Sequence, residues 1–262
     1  FKSWKVRKQI MTIAQGSKVL GISKTNLSKI KLNIPTKPEQ TKIAAFLTAV
    51  DNKIEQLSKK QELLGEYKKG LMQQIFSQTI RFKADDGSDF PDWEERKLGD
   101  CGKIKKGKQL NKDYLTEMGN YPAINGGINP SGYTDDWNTK ENTITISEGG
   151  NSCGYVNLIT TKFWSGGHCY SIEELEDDVL NIYLFQYLKF NESFVMRLRV
   201  GSGLPNIQKG SINNFNVNLP SNVEQANIAN FLSSIDHKIE QVVKQLDESK
   251  QFKKALLQQM FV

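Results

Sequence analysis

At 262 residues and 38% hydrophobic side chains, the chain is long enough for one or two domains with a real core. Its mean hydropathy is −0.50, and no apolar run approaches the roughly 20 residues a membrane helix requires, so a membrane-spanning or secreted protein is not expected and a cytoplasmic one is. The three cysteines (Cys101, Cys153, Cys169) are odd in number and form no CxxC pair, which excludes a disulfide framework and gives no metal-binding pattern.

The net charge of +6 hides its layout. Residues 1–35 hold eight Lys or Arg and no acid, whereas residues 84–218 sum to −6. Inside that acidic stretch, residues 96–112 carry seven basic side chains against Asp100 alone, and residues 173–178 read Glu-Glu-Leu-Glu-Asp-Asp. A basic island of this kind suits a phosphate backbone, and equally a solvated lysine-rich surface.

The strongest signal is an internal repeat. Displaced by 185 residues, the chain aligns with itself without a gap, about 24 of 61 positions being identical. Ile43-Ala44-Ala45-Phe46-Leu47 falls on Ile228-Ala229-Asn230-Phe231-Leu232, and Asp51-Asn52-Lys53-Ile54-Glu55-Gln56 on Asp236-His237-Lys238-Ile239-Glu240-Gln241. The match extends to Gly16-Ser17 on Gly201-Ser202 and to Gln73-Gln74-Ile75-Phe76 on Gln258-Gln259-Met260-Phe261. The period is too long for a solenoid and describes a duplicated module, a globular part followed by a helix.

In chain order, residues 1–35 match only the end of such a globular part. Residues 36–80 form a long helix opening on Thr36 with Glu39 three residues on, the signature of a capping box. Its apolar positions Ile43, Leu47, Val50, Ile54 and Leu57 step by fours and threes, the period of a coiled-coil seam. Residues 81–219 form a mixed α+β domain with strands at 143–147, 154–160 and 215–219 and a helix over 179–197. Turns fall at Asn125-Gly126-Gly127, Gly149-Gly150-Asn151 and Gly166-Gly167. Residues 220–262 form the second long helix, capped by Ser221 and Glu224, with seam positions Ile228, Leu232, Ile235, Ile239, Val242 and Leu246. A helix of about 40 residues is ~60 Å long, more than one small domain covers, so the two are expected to pair as an antiparallel coiled coil.

Catalytic chemistry is scarce. Lys106-Gly107-Lys108-Gln109 lacks the upstream glycine and the Ser or Thr of a phosphate-binding loop. The string Pro91-Asp92…Glu95-Arg96-Lys97 mimics a nuclease pattern, but its carboxylates lie too close for separate strands to present them. His168 and His237 are too few for a metal or triad site. A non-catalytic binder without a metal is expected.

Three features together resemble the specificity subunit of type I restriction–modification enzymes: the opening Trp93-Glu94-Glu95-Arg96-Lys97-Leu98-Gly99-Asp100, the exit from Gly201-Ser202-Gly203 to Leu219-Pro220, and the helix motif Glu224-Gln225…Ile228-Ala229…Phe231-Leu232…Ile235-Asp236. The resemblance covers the whole chain. It implies target-recognition domains that each read one part of a split double-stranded DNA site, with long helices setting the gap. Methylation with S-adenosylmethionine would belong to separate modification subunits, and ATP-driven cleavage to a restriction subunit, leaving no cofactor in this chain. With a period of 185, the first module would begin about 100 residues before Phe1, as expected of a fragment or of a half-subunit that pairs with a second copy. The reading from another class is a coiled-coil scaffold without a DNA role.

If residues 81–219 read DNA, backbone contacts position and base-edge contacts specify. Lys103, Lys105, Lys106, Lys108 and Lys112 are the phosphate candidates. Gln109, Asn111, Asn125, Asn129, Asn151, Ser152 and Arg199 are the candidates for base edges, because amides pair with adenine and Arg with guanine. Tyr133, Trp137 and Trp164 are placed against the DNA backbone. Arg197 and Arg199 could instead pair with the acidic 173–178 stretch, which is expected to face solvent or a basic partner.

Overall fold

The computed structural model describes residues 4–14, 21–32, 34–201 and 203–260; Gly16, Ser17, Ser202 and Phe261 of the repeat lie outside them. In chain order the elements are α1 (Trp4–Ile13), α2 (Lys24–Leu27), α3 (Lys37–Phe76), β1 (Glu94–Lys97), α4 (Leu98–Cys101), β2 (Lys103–Lys106), β3 (Tyr121–Ile124), β4 (Gly132–Thr134), β5 (Thr143–Ser147), β6 (Val156–Ile159), β7 (Trp164–Ser165), β8 (Cys169–Glu173), α5 (Asn181–Phe190), α6 (Glu192–Arg197), α7 (Lys209–Asn213), β9 (Asn216–Leu219) and α8 (Asn222–Met260). Two compact units result: residues 1–66 with 236–262, and residues 67–235.

The repeat is visible in the elements. α3 and α8 start 185 residues apart, as do α2 and α7. Thr36 and Ser221 each accept the first helical bond through their carbonyls, from the N–H groups of Gln40 and Gln225 at 2.9 Å. The side chains of Gln40 and Gln225 reach back to the carbonyls of Pro35 (2.7 Å) and Pro220 (2.9 Å), so the shared Glu-Gln pair has one local reason in both copies. The predicted capping box at Ser221 is not formed. Its Oγ is buried without a hydrogen-bond partner, and Glu224 is drawn into a tertiary contact instead. α3 ends where Gln78 takes a left-handed conformation (φ 59), a common helix stop.

In the first unit α3 and α8 pack antiparallel. Leu57, Val242 and Leu246 form a buried cluster joined by Ile54 and Leu64, and Asp51 pairs with Lys253. Ile43, Leu47, Val50 and Ile239 are half-buried between exposed neighbours, the pattern a heptad seam produces. Ser249, which the repeat aligns with Leu64 of α3, donates to the Gln245 carbonyl at 2.7 Å and so leaves no orphan donor.

The second unit holds the main core. A four-stranded antiparallel sheet runs in the order β2-β8-β5-β6. β5 is buried along its whole length, because it is central and covered on both faces, which suits its Thr-Ile-Thr-Ile run. A second sheet, β4-β3-β7, includes one parallel pair, and β1 pairs with β9. Leu98, Ile144, Ile146, Leu184, Leu188, Ile207 and Ile212 fill the core with no exposure. Ile228 and Leu232, predicted as seam residues, are fully buried within this core, and Phe76 at the end of α3 sets its ring edge-on to Tyr183 and Tyr187.

The single helix expected over 179–197 is two, α5 and α6, meeting at Asn191. The Asn191 side chain donates to the Tyr187 carbonyl at 3.0 Å, the local competition that makes Asn a poor interior helix residue. The repeat also shows an asymmetry in burial. Ile207, Ile212, Val217 and Leu219 are 0–4% exposed, whereas their first-copy counterparts Ile22, Leu27, Leu32 and Ile34 are 36–70% exposed.

Candidate nucleic-acid interface

The basic island was expected to meet phosphate, but β2 places it beside β8, whose end carries the acidic stretch. Register sets Lys103 opposite Glu173 and Lys105 opposite Ser171. Lys105 Nζ lies 3.0 Å from Glu173 and 2.7 Å from Glu174, and Lys103 also pairs with Glu174. Lys106 Nζ lies 2.5 Å from Glu148. The hydrogen bonds from Lys103 and Lys105 hold the Glu174 carboxyl down to about 2. The acidic stretch is largely exposed to solvent, as expected, with Glu173 and Glu174 also meeting lysines of the neighbouring strand; Asp178 takes Arg96 at 2.6 Å, and Arg197 lies over the Phe194 ring at 5.0 Å rather than against this stretch. Strand register is what brings Lys103 and Lys105 to Glu173 and Glu174.

At the other end of the sheet, several loops converge. The carbonyl of Gly126 accepts from Ser147 Oγ and from Ser152 Oγ at 2.7 Å. Asn125 Oδ1 accepts the His168 N–H at 3.3 Å, and the Glu148 N–H donates to the His168 carbonyl at 2.9 Å. Lys108 N–H donates to the Ser165 carbonyl, and Trp164 Nε1 returns a bond to the Lys108 carbonyl at 2.8 Å. Gly150 N–H donates to the Pro205 carbonyl, while Val200 and Asn206 bond each other's backbones. Glycine is required at two of these crossings. A Cβ on Gly107 would fall 2.2 Å from the Gly166 carbonyl oxygen, and Gly126, at φ +84, would bring one within 2.3 Å of the His168 carbonyl oxygen.

Beneath the loops lies a polar cluster that sequence reasoning missed. Glu148, 8% exposed, accepts from Lys106, from the Tyr170 hydroxyl at 3.1 Å and meets His168 Nδ1 at 3.3 Å. Burial alone would raise its carboxyl, but Lys106, Tyr170 and His168 outweigh burial and leave it below the ordinary range. Burial first, and Glu148 second, push the Tyr170 hydroxyl up to about 12. The signal available in sequence was an acid directly after the Thr-Ile-Thr-Ile-Ser strand, at Ser147-Glu148-Gly149. All three cysteines are buried free thiols, and burial pushes Cys101 and Cys169 up to about 11. Among the described residues no group of His, Cys, Asp and Glu is placed to hold a metal ion.

The candidates thus divide. Lys103, Lys105 and Lys106 are ion-paired. Asn111 is spent on its own turn, bonding the Asp113 N–H and carboxylate. Asn125, Ser152 and Trp164 hold loops together, and Gln109 donates to the Leu110 carbonyl beside it. Lys108, Lys112, Asn151 and Arg199 are exposed, and no hydrogen bond or ion pair holds their side chains among the described residues; the same holds for Asn129. Asn129 lies in the loop between β3 and β4, and the exposed Tyr133 lies on β4 of the second sheet. Trp137 lies under Lys162, 4.3 Å from its ring centre.

Comparison with known proteins now bears on this arrangement. The family model described as "Type I restriction modification DNA specificity domain" matches residues 4–64 and 91–248. The chain belongs to the type I DNA specificity family. A Mycoplasma genitalium protein named as a type I specificity subunit is 31% identical over 171 residues, which are 64% of this chain and 44% of that one. A Methanocaldococcus jannaschii protein named as the MjaX specificity subunit is 29% identical over 253 residues, 90% of this chain and 59% of its own length. The chain therefore spans about half the length of these curated relatives. The crystal structure of a type I restriction–modification S subunit from M. genitalium superposes with a TM-score of 0.72 at 22% identity, covering 98% of this chain and 70% of that one. A chain from a structure of type I system assembly and conformational transition gives 0.59 at 18% identity, covering 98% and 67%. The specificity fold, an α+β body with two long paired helices, is thus present. No helix among the described residues is long and apolar enough to cross a membrane.

Proposed function

We propose that this specificity-family chain is the DNA-reading, non-catalytic component of a cytoplasmic type I restriction–modification complex. Residues 81–219 are the recognition domain for one part of a split double-stranded site. α3 and α8 are the spacer, and also the surface on which modification subunits dock. Residues 1–35 correspond, by the repeat, to the closing segment of another recognition domain; the exposed Ile22, Leu27, Leu32 and Ile34 support that reading. S-adenosylmethionine chemistry falls to the modification subunits and ATP-driven cleavage to a restriction subunit. A half-subunit form would pair with a second copy to assemble two domains.

The observation that carries the proposal is the loop crossing at the sheet end. Backbone bonds fix the loops, and exposed Lys108, Asn151 and Arg199 project from them with their polar atoms uncommitted. Rigid loops bearing an amide and a guanidinium are what base-edge reading requires. The family match favours this over a scaffold without a DNA role. The test is binding to duplex DNA with and without a modification subunit, between roughly 50 and 200 mM salt. Phosphate-driven binding weakens steeply over that range. Affinity flat in salt, or no duplex binding at all, refutes the proposal.

A further inference from the structure

Three carboxylates face three lysines along β2. Lys103 meets Glu174, Lys105 meets Glu173 and Glu174, and Lys106 meets Glu148. The strand that gave the sequence its basic island therefore presents no net charge. Glu174 reaches its place through a left-handed backbone (φ 49), a conformation costly for a residue with a Cβ and worth noting when it recurs at a purposeful spot. Exposed pairs of this kind add little to stability. Folding alone gives a weak reason to strain Glu174 between two lysines.

We propose that Glu173 and Glu174 are specificity-determining residues: by neutralising Lys103 and Lys105 they keep β2 from gripping phosphates of any sequence, and so leave recognition to the loop crossing. The inference rests on the DNA-reading proposal above. Its physical basis is that affinity for non-cognate DNA is set by how many phosphates a protein neutralises, with log K falling by about 0.9 per phosphate for each decade of salt. A lysine already paired within its own sheet gives up that pair to take a phosphate, and the carboxylate it leaves repels the DNA. Specificity is a difference between affinities, and lowering the non-cognate one raises it as surely as a new base contact does.

The experiment measures the full chain binding a fluorescent mixed-sequence duplex of about 30 base pairs across a salt series. The chains compared are wild type, Glu173→Gln/Glu174→Gln, and that double variant combined with Lys103→Gln/Lys105→Gln. In the double variant we expect the salt slope to steepen by about 0.9 to 1.8, and non-cognate affinity near 0.1 M salt to rise by roughly eight-fold per freed lysine. The fourfold variant should return to the wild-type slope, which a purely structural role for the glutamates would not produce. An unchanged slope in the double variant overturns the proposal, as does a fourfold variant that keeps the gain. Absence of salt-dependent DNA binding by every chain, with a modification subunit present as well, refutes the DNA-reading proposal itself and is thereby distinguishable.

Discussion

Arg81 and Glu224 offer the sharpest test of how the second unit is closed. Glu224 has no exposed surface, and its carboxylate accepts from Arg81 Nη2 at 2.8 Å, Arg81 Nε at 3.1 Å and Trp93 Nε1 at 3.1 Å. The guanidinium also donates to the carbonyls of Phe90 (3.3 Å) and Pro91 (2.7 Å), and its side chain keeps 22% exposure. The two ends of the contact therefore fail differently. Arg81→Ala leaves a buried carboxylate with an indole N–H as its remaining donor, a case that costs about 3–5 kcal/mol. Glu224→Gln keeps an acceptor for Arg81 and Trp93 and leaves the guanidinium its two carbonyls and water, so the loss is about 1.5–3 kcal/mol. Arg81→Met combined with Glu224→Leu removes both charges and should recover most of the loss. Urea unfolding followed by circular dichroism reads all three. With an m-value of about 3 kcal/mol/M, a loss of ~4 kcal/mol moves the midpoint by about 1.3 M. A cost for Arg81→Ala below about 1 kcal/mol, or no greater than that of Glu224→Gln, would refute the reasoning.

Further outcomes follow from the site. Lys108→Gln/Lys112→Gln should weaken duplex binding equally at every sequence and flatten the salt slope by about 1.8; an unchanged slope removes both lysines from the interface. Asn151→Ala and Arg199→Ala should instead change preference among sites, by about 1–3 kcal/mol at one base position, read by competition among duplex libraries; a uniform loss would make them structural. The Glu174 carboxyl should titrate near 2 by NMR, against an ordinary value near 4.5. A folded-state value held below the unfolded one gives stability that is present above the unfolded value and is lost as pH falls toward 2. A midpoint near 4.5 would show that Lys103 and Lys105 do not hold it.

What the sequence revealed, it revealed through local rules. α3 and α8 start at Lys37 and Asn222, directly after Thr36 and Ser221, because the proline before each start, the glutamine that bonds back to it and the heptad are written in nearby residues. β5 and β9 fall within a residue of the runs at 143–147 and 215–219 for the same reason. Long-range contacts were not legible. Lys105 and Glu174 are 69 residues apart and meet through strand register, so a charge count could see a basic island but not its neutralisation. Glu224 carries a capping-box signature, yet Arg81, 143 residues away, offers it a stronger partner than a backbone amide. In the site, the turn glycines were readable, whereas the division of Asn111, Asn125 and Asn151 between turn-holding and open side chains depends on neighbours that only folding supplies. Glu148 was missed because a single acid after a strand has no periodicity to betray it.

The central claim, that this chain chooses the DNA sequence its complex modifies, is tested most directly by co-expressing it with a modification subunit and mapping adenine methylation across the host genome. A single split motif that changes when Asn151 and Arg199 are substituted is the predicted result. Methylation at a motif indifferent to both residues and to the loops that carry them, or a complex that forms and methylates without sequence preference, would contradict the account.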